Sequence, residues 1–112
     1  MKITKERFVS VLSGAIELLK KKGWTQGEYA KNAEGKKVEA LQTEACQFCL
    51  LGAIMASGGF NSYNAEFSRF ATEMDEITIR LGARCHDWND APNRTKEEVI
   101  ALLEKAKENY NG

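Results

Sequence analysis

One stretch constrains the fold more than any other. Ala45-Cys46-Gln47-Phe48-Cys49-Leu50-Leu51-Gly52-Ala53-Ile54-Met55-Ala56 is apolar almost without interruption. A helix that is apolar all round has no face to give to water, so it belongs at the centre of a fold. The run falls short of the roughly 18 residues that a membrane span needs, so other parts of the chain must cover it. The spacing predicts a helix from about Glu44 to Ser57, with Thr43 as N-cap and Gly58-Gly59 as the stop. Gly52 and Ala56 are small and four apart, which would let a neighbouring helix come close.

The covering elements are amphipathic. Thr4 is an N-cap candidate, and Ile3 and Phe8 have the spacing of a hydrophobic staple. Phe8, Leu12, Ala15, Ile16 and Leu19 follow helical periodicity, and Lys20, Lys21 and Lys22 lead to a stop at Gly23. A third helix is predicted from about Tyr63 to Leu81. Its stripe of Phe67, Phe70, Met74, Ile77 and Leu81 faces either the core or the seam of a homodimer. Thr95-Lys96-Glu97-Glu98 is a capping box opening a last helix whose apolar face is Val99, Leu102, Leu103 and Ala106. Between the first two helices the periodicity breaks. Asn32-Ala33-Glu34-Gly35 reads as a turn, and Tyr29-Ala30 could pair with Val38-Glu39-Ala40-Leu41. The expectation is a mainly α, compact four-helix domain spanning residues 1–112, with a short β-hairpin between helices 1 and 2.

Charge narrows the function. Lys+Arg and Asp+Glu both number 16, so the formal net charge is zero. Such a chain lacks the general attraction to phosphate that supports non-specific nucleic-acid binding. Its N-terminal residues are polar, without the apolar centre of a secretion signal, and its three cysteines suit a reducing compartment. Both point to the cytoplasm, with no membrane partner.

The cysteines are candidates for metal, redox or nucleophile chemistry. Cys46-x-x-Cys49 on a helix would place both thiols on one face. Zinc needs four ligands in tetrahedral array, and the adjacent Cys85 and His86 are poorly placed to supply the other two. A thioredoxin-type motif needs a strand leading into its first cysteine. A Cys85–His86 nucleophile pair needs side chains that converge, whereas sequence neighbours usually point apart. The reading is therefore buried thiols, a surface histidine, no metal and no cofactor. Glu73, Asp75 and Glu76 read as a solvated helix face. The chain has no G-x-x-x-x-G-K-[ST], G-x-G-x-x-G or H-E-x-x-H segment.

Two polar–aromatic clusters remain. Trp88-Asn89-Asp90, with Arg94 close behind, joins an apolar anchor to side chains that favour local backbone bonds. Trp24 and Gln26 form a similar group after the first helix. One reading is a loop pinned by Trp88 that positions the last helix. The other is a partly exposed recognition surface that both clusters share, forming a shallow polar pocket.

Taken in order, Trp24-x-Gln26-Gly27, Gly35, Cys49-x-x-Gly52-Ala53-Ile54 and Trp88-Asn89-Asp90-x-Pro92-x-Arg94-Thr95 with Val99 and Ala106 resemble a family of small bacterial and phage proteins of unknown function. Cys49 belongs to that pattern, whereas Cys46, Cys85 and His86 do not. The resemblance implies one domain and an accessory role in a bacterium or a phage-infected host cell, and it carries no catalytic residues. The expected function is a non-enzymatic binding protein that modulates a host protein. The alternative is a small-ligand protein, binding or sequestering a nucleotide through Trp24, Trp88, Asn89, Asp90 and Arg94. A small enzyme ranks third.

Overall fold

The computed structural model describes residues 2–112. Seven elements follow one another: α1 (Lys5–Lys21), β1 (Ala30–Lys31), β2 (Gln47–Phe48), α2 (Leu50–Gly58), α3 (Ala65–Ile79), α4 (Cys85–Asn89) and α5 (Lys96–Asn109). The architecture is mainly α, as the sequence predicts, with one more helix than the four expected, because the short α4 lies inside the segment read as a loop.

The helix ends are chemically specified. Thr4 caps α1 by accepting from the Arg7 N–H, and Ile3 and Phe8 are both buried, as a staple requires. Thr95 and Glu98 form the reciprocal capping box of α5. Asn64 caps α3 through the amides of Glu66 and Phe67, which leaves Tyr63 outside the helix and 95% exposed. The stripe of α3 is core-facing at Phe67, Phe70 and Met74 but not at its end. Thr78 is buried instead, and Leu81, beyond the helix, is 58% exposed.

The central helix is shorter than its hydrophobicity suggests. It begins at Leu50, not Glu44, and its cap is not Thr43 but the Cys49 thiol, which accepts from the Gly52 amide at 3.3 Å. The residues ahead of it are extended because β2 is needed on two sides. It pairs antiparallel with β1, Ala30 opposite Phe48 and Lys31 opposite Gln47. On its other edge the Phe48 N–H donates to the Gly23 carbonyl, and the Thr25 N–H donates to the Phe48 carbonyl, both at 3.0 Å. The expected partner of Tyr29-Ala30 contributes only a fringe: Val38 donates to the Ala30 carbonyl at 3.2 Å, and Lys37 bridges Lys31.

Around α2 the core closes. Helix α1 packs against α2 on one side and α5 on the other, while α3 packs on α2 and α4. Phe8 joins three of these layers, its ring stacked on Tyr110 at 4.0 Å and on Phe70 at 5.6 Å. No helix among the described residues is long and apolar enough to cross a membrane.

Gly52 does permit a close approach, but of backbone and not of a helix. A Cβ there would overlap the Tyr29 carbonyl, which accepts from the Cys49 amide at 3.1 Å and so ties the residue before β1 to the start of α2. Gly52→Ala is expected to destabilise by about 1–3 kcal/mol, the usual range for forced overpacking. A chemical-denaturation midpoint equal to wild type would show that the loop yields freely.

Candidate functional site

The two polar–aromatic clusters meet. Helix α1 ends at Lys21, and the chain enters the extended segment that carries Trp24, Thr25 and Gln26 beside β2. Helix α4 brings Trp88 and Asn89 to the same place. Its own start is held by Asp75 of α3, which accepts from the Cys85 amide at 2.8 Å and faces Arg84 at 3.8 Å. Asp75 is thus not part of a merely solvated face, as its sequence neighbours suggested.

Asn89 is the centre of the arrangement. It is 1% exposed, and its amide is fully used. Oδ1 accepts from Trp24 Nε1 at 2.8 Å and from the Leu50 amide at 3.1 Å. Nδ2 donates to the Thr25 carbonyl at 3.1 Å and to Asp90 Oδ1 at 2.9 Å. The Leu50 amide is the first N–H of α2, a donor that has no partner within its own helix. A carboxamide supplies two acceptor sites and two donor hydrogens, so every one is matched.

The other nominated residues extend this latch. Gln26 Nε2 donates to the carbonyls of Asn89 and Ala91, each at 3.0 Å. Asp90 Oδ1 also accepts from the Gly27 amide at 3.0 Å. Arg94 Nε donates to the Trp88 carbonyl at 2.9 Å, and its guanidinium lies 3.9 Å from the Trp88 ring centroid, a cation–π stack. Arg94 then reaches Glu98, the partner in the α5 capping box, at 3.5 Å. Trp24, Gln26, Trp88, Asn89, Asp90 and Arg94 therefore share one network. Trp88 and Asn89 are buried, however, rather than partly exposed, because the indole packs in the core and the amide bonds two backbone groups and two side chains. Asp90 remains exposed.

The cysteines are dispersed. Cys46 precedes β2 and is half-buried, Cys49 caps α2, and Cys85 opens α4, so the first two do not share a helix face. Burial pushes the Cys49 thiol up to about 11, against the pull of the Gly52 amide. Burial raises Cys85 as well, and the neighbouring Cys49 and Asp75 add to it. Both are held as thiols at neutral pH, a poor state for a nucleophile or a metal ligand. His86 is solvent-facing and lies 3.3 Å from Asp87.

A second feature has no counterpart in the sequence reading. Between α3 and α5 lies an open trough of about 660 Å³. Ile77, Leu81, Leu102 and Tyr110 give it an apolar lining, with Phe8 beneath. Glu73 and Glu76 flank it from α3, Arg80 from the α3 C-cap, and Lys105 from α5. The Glu73 carboxyl is held above the usual carboxylate range by partial burial and then by Glu76, against the opposing pull of Lys2. The C-terminal residues are fixed at one end of the trough, where Tyr110 Oη donates to the Ile3 carbonyl and Lys5 Nζ to the Lys107 carbonyl, both at 2.6 Å. Leu81 and Leu102 were visible as helical apolar positions, but nothing in their spacing shows that they line a gap instead of closing it.

Fold and site define a small helical domain whose first connection is latched to α4 through a buried asparagine, with an open trough between α3 and α5. The chain belongs to DUF6197, a family of unknown function, whose model matches residues 4–109. No curated protein and no solved structure matches it.

Removing the amide tests the latch. Asn89→Ala would leave the Leu50 amide, the Trp24 indole N–H and the Thr25 carbonyl without their partner, at about 1–3 kcal/mol for each group left unsatisfied. A loss of about 3 kcal/mol or more in chemical denaturation is expected. A loss under 1 kcal/mol would mean that water replaces the amide without strain. Thiol reactivity makes a separate test: under native conditions an alkylating reagent should modify Cys46 and spare Cys49 and Cys85, with all three reacting in denaturant. Rapid native labelling of Cys85, read by peptide mass, would contradict its burial.

Proposed function

We propose that this protein is a non-enzymatic binding protein whose α3/α5 trough receives a helix of a protein partner. The observation that carries the reading is the trough itself, with Leu81 at 58% exposure and Ile77 and Leu102 beside it, bordered by charges of both signs. An apolar strip between two helices with a charged rim suits the apolar face of an amphipathic helix. The polar groups nominated as contacts by the sequence are engaged inside the fold, which favours moving the contact surface from Trp24, Gln26, Trp88, Asn89, Asp90 and Arg94 to the trough. In this reading the latch is scaffold, and Asp90 is the member of it that a partner could still touch. The biological role we infer is that of a cytoplasmic accessory protein, of bacterium or phage, that modulates a host protein without binding nucleic acid generally.

A small-ligand reading has one observation in its favour. The trough volume falls within the roughly 300–1,000 Å³ of ligand sites. Arg80 and Lys105 beside Tyr110 would suit an anion with an aromatic or apolar body, a nucleotide among them.

The test places a photo-crosslinking side chain at Leu102, with the exposed Leu41 as control, in the full chain in producing cells. The docking reading expects a discrete protein adduct from position 102 and none from 41, and expects Leu81→Asp to abolish it while the thermal melt holds. A small-molecule adduct in native mass spectrometry that disappears with Leu81→Asp, without a protein adduct, would favour the ligand reading. Equal labelling from 102 and 41 would remove the trough from consideration.

A further inference from the structure

The net charge of zero conceals a separation. Residues 20–37 hold six lysines and two glutamates, an excess of four positive charges that the rest of the chain balances with an equal acidic excess. Lys20, Lys21, Lys22, Lys36 and Lys37 are exposed, and Lys31 is half-buried. The C-terminal dipole of α1 accounts for Lys20 and Lys21 in its last turn. It does not account for Lys31, Lys36 and Lys37.

Backbone pairing gathers the charge on one face of the small sheet. Lys31 lies opposite Gln47 on one side and opposite Lys37 on the other. Residues opposite one another in a ladder project from the same face. Ala30 and Phe48 fill the inner face, so Lys31, Gln47 and Lys37 stand on the outer one. Trp24 pairs with Phe48, which places Gly23 on the outer face beside Gln47, where a Cβ would lie 3.5 Å from Gln47 Cγ. Lys22, the C-cap of α1, directly precedes Gly23. The face thus runs Gly23, Gln47, Lys31, Lys37 across three strand spacings, about 14 Å, with lysines entering at both ends. Like charges directly opposite in a ladder are unfavourable, and Lys31 and Lys37 are so placed. Lys37 has Glu28 at 3.8 Å, and among the described residues the other five lysines make no ion pair.

We propose that this strip receives a short acidic segment of a protein partner in extended form. The inference does not depend on the trough being a docking surface. Carboxylates on the segment supply the counter-charge that Lys31 lacks, and they turn the repulsion between Lys31 and Lys37 into a shared attraction. At about 3.3 Å per residue, about four extended residues cover the strip. A nucleic-acid strand or a lipid surface reaches past it onto the acidic remainder of the chain, where phosphate is repelled. Exposed ion pairs are individually weak, so the contact is salt-sensitive and its strength comes from several lysines together.

Fluorescence anisotropy of a labelled hexaglutamate peptide, titrated with the full chain at low salt, is the primary measurement. Binding is expected, and it should weaken as salt rises. Lys31→Gln/Lys37→Gln should weaken it about threefold or more. Arg69→Gln/Lys96→Gln removes the same charge elsewhere and should stay close to wild type. A thermal melt of each variant is read beside the titration. Should Lys31→Gln disturb the hairpin, Lys36→Gln/Lys37→Gln repeats the test with two exposed positions. The proposal is overturned if wild type does not bind the peptide, or if the hairpin and control pairs weaken binding equally. It is also overturned if an oligothymidylate or a phosphatidylserine vesicle binds the strip more tightly than the peptide, which would make phosphate, not an acidic protein segment, its ligand.

Discussion

The fold depends on one buried carboxamide. Asn89 is the meeting point of four chain segments: the connection after α1, the first turn of α2, the end of α4 and the start of the run into α5. Burying an amide is unfavourable unless all its hydrogen-bonding capacity is met, and here two donors and two acceptors are matched within 3.1 Å. The same group answers a second need. A buried helix such as α2 presents free amides at its start, and water is not there to take them. Asn89 takes the Leu50 amide and the Cys49 thiol takes that of Gly52, so a helix with no polar residue in its first turn can still begin in the core.

The latch also fixes where α3 sits. With α4 tied to the latch and to Asp75, α3 is held on the α2 side of the core. Helix α5 is held on α1 by the Tyr110–Phe8 stack and by the Lys5 and Tyr110 bonds to backbone carbonyls. Phe70 and Tyr110 cover the Phe8 ring, and outside that layer the two helices stay apart, which leaves the trough. A stable scaffold with an unfilled apolar seam is the physical basis for reading the protein as a docking module.

The capped helices were legible in the sequence because their signals are local. Thr4 with Ile3 and Phe8, and Thr95 with Glu98, act over one turn of chain, and both starts are where those residues place them. The central helix shows the limit. Hydrophobicity predicts that Glu44–Ser57 is buried but cannot say in which conformation, because an apolar run suits a buried strand as well as a buried helix. Gln47 and Phe48 are extended because Gly23–Thr25 and Ala30–Lys31 lie on either side of them, and those neighbours are remote in sequence. The α3 stripe failed at its end for a related reason. Leu81 has the spacing of a core residue, but the element that would have covered it stands off across the trough.

The nominated cluster divides in the same way. Two local polar–aromatic clusters marked Trp24, Gln26, Trp88, Asn89, Asp90 and Arg94, since tryptophan seeks burial and carboxamides seek backbone partners. Whether those demands would be met separately at two surfaces or jointly in one interior was not a property of either segment. The sequence by itself determined the helix caps, the apolar faces and the need for polar partners, each of which is governed by residues within a turn or two. Only the tertiary structure decided that Asn89 would bond Trp24 across 65 positions, that Gly52 would admit the Tyr29 backbone, and that α3 and α5 would remain apart. Such choices depend on which surfaces pack together, and packing is settled by the shape and hydrogen-bonding of all the elements at once.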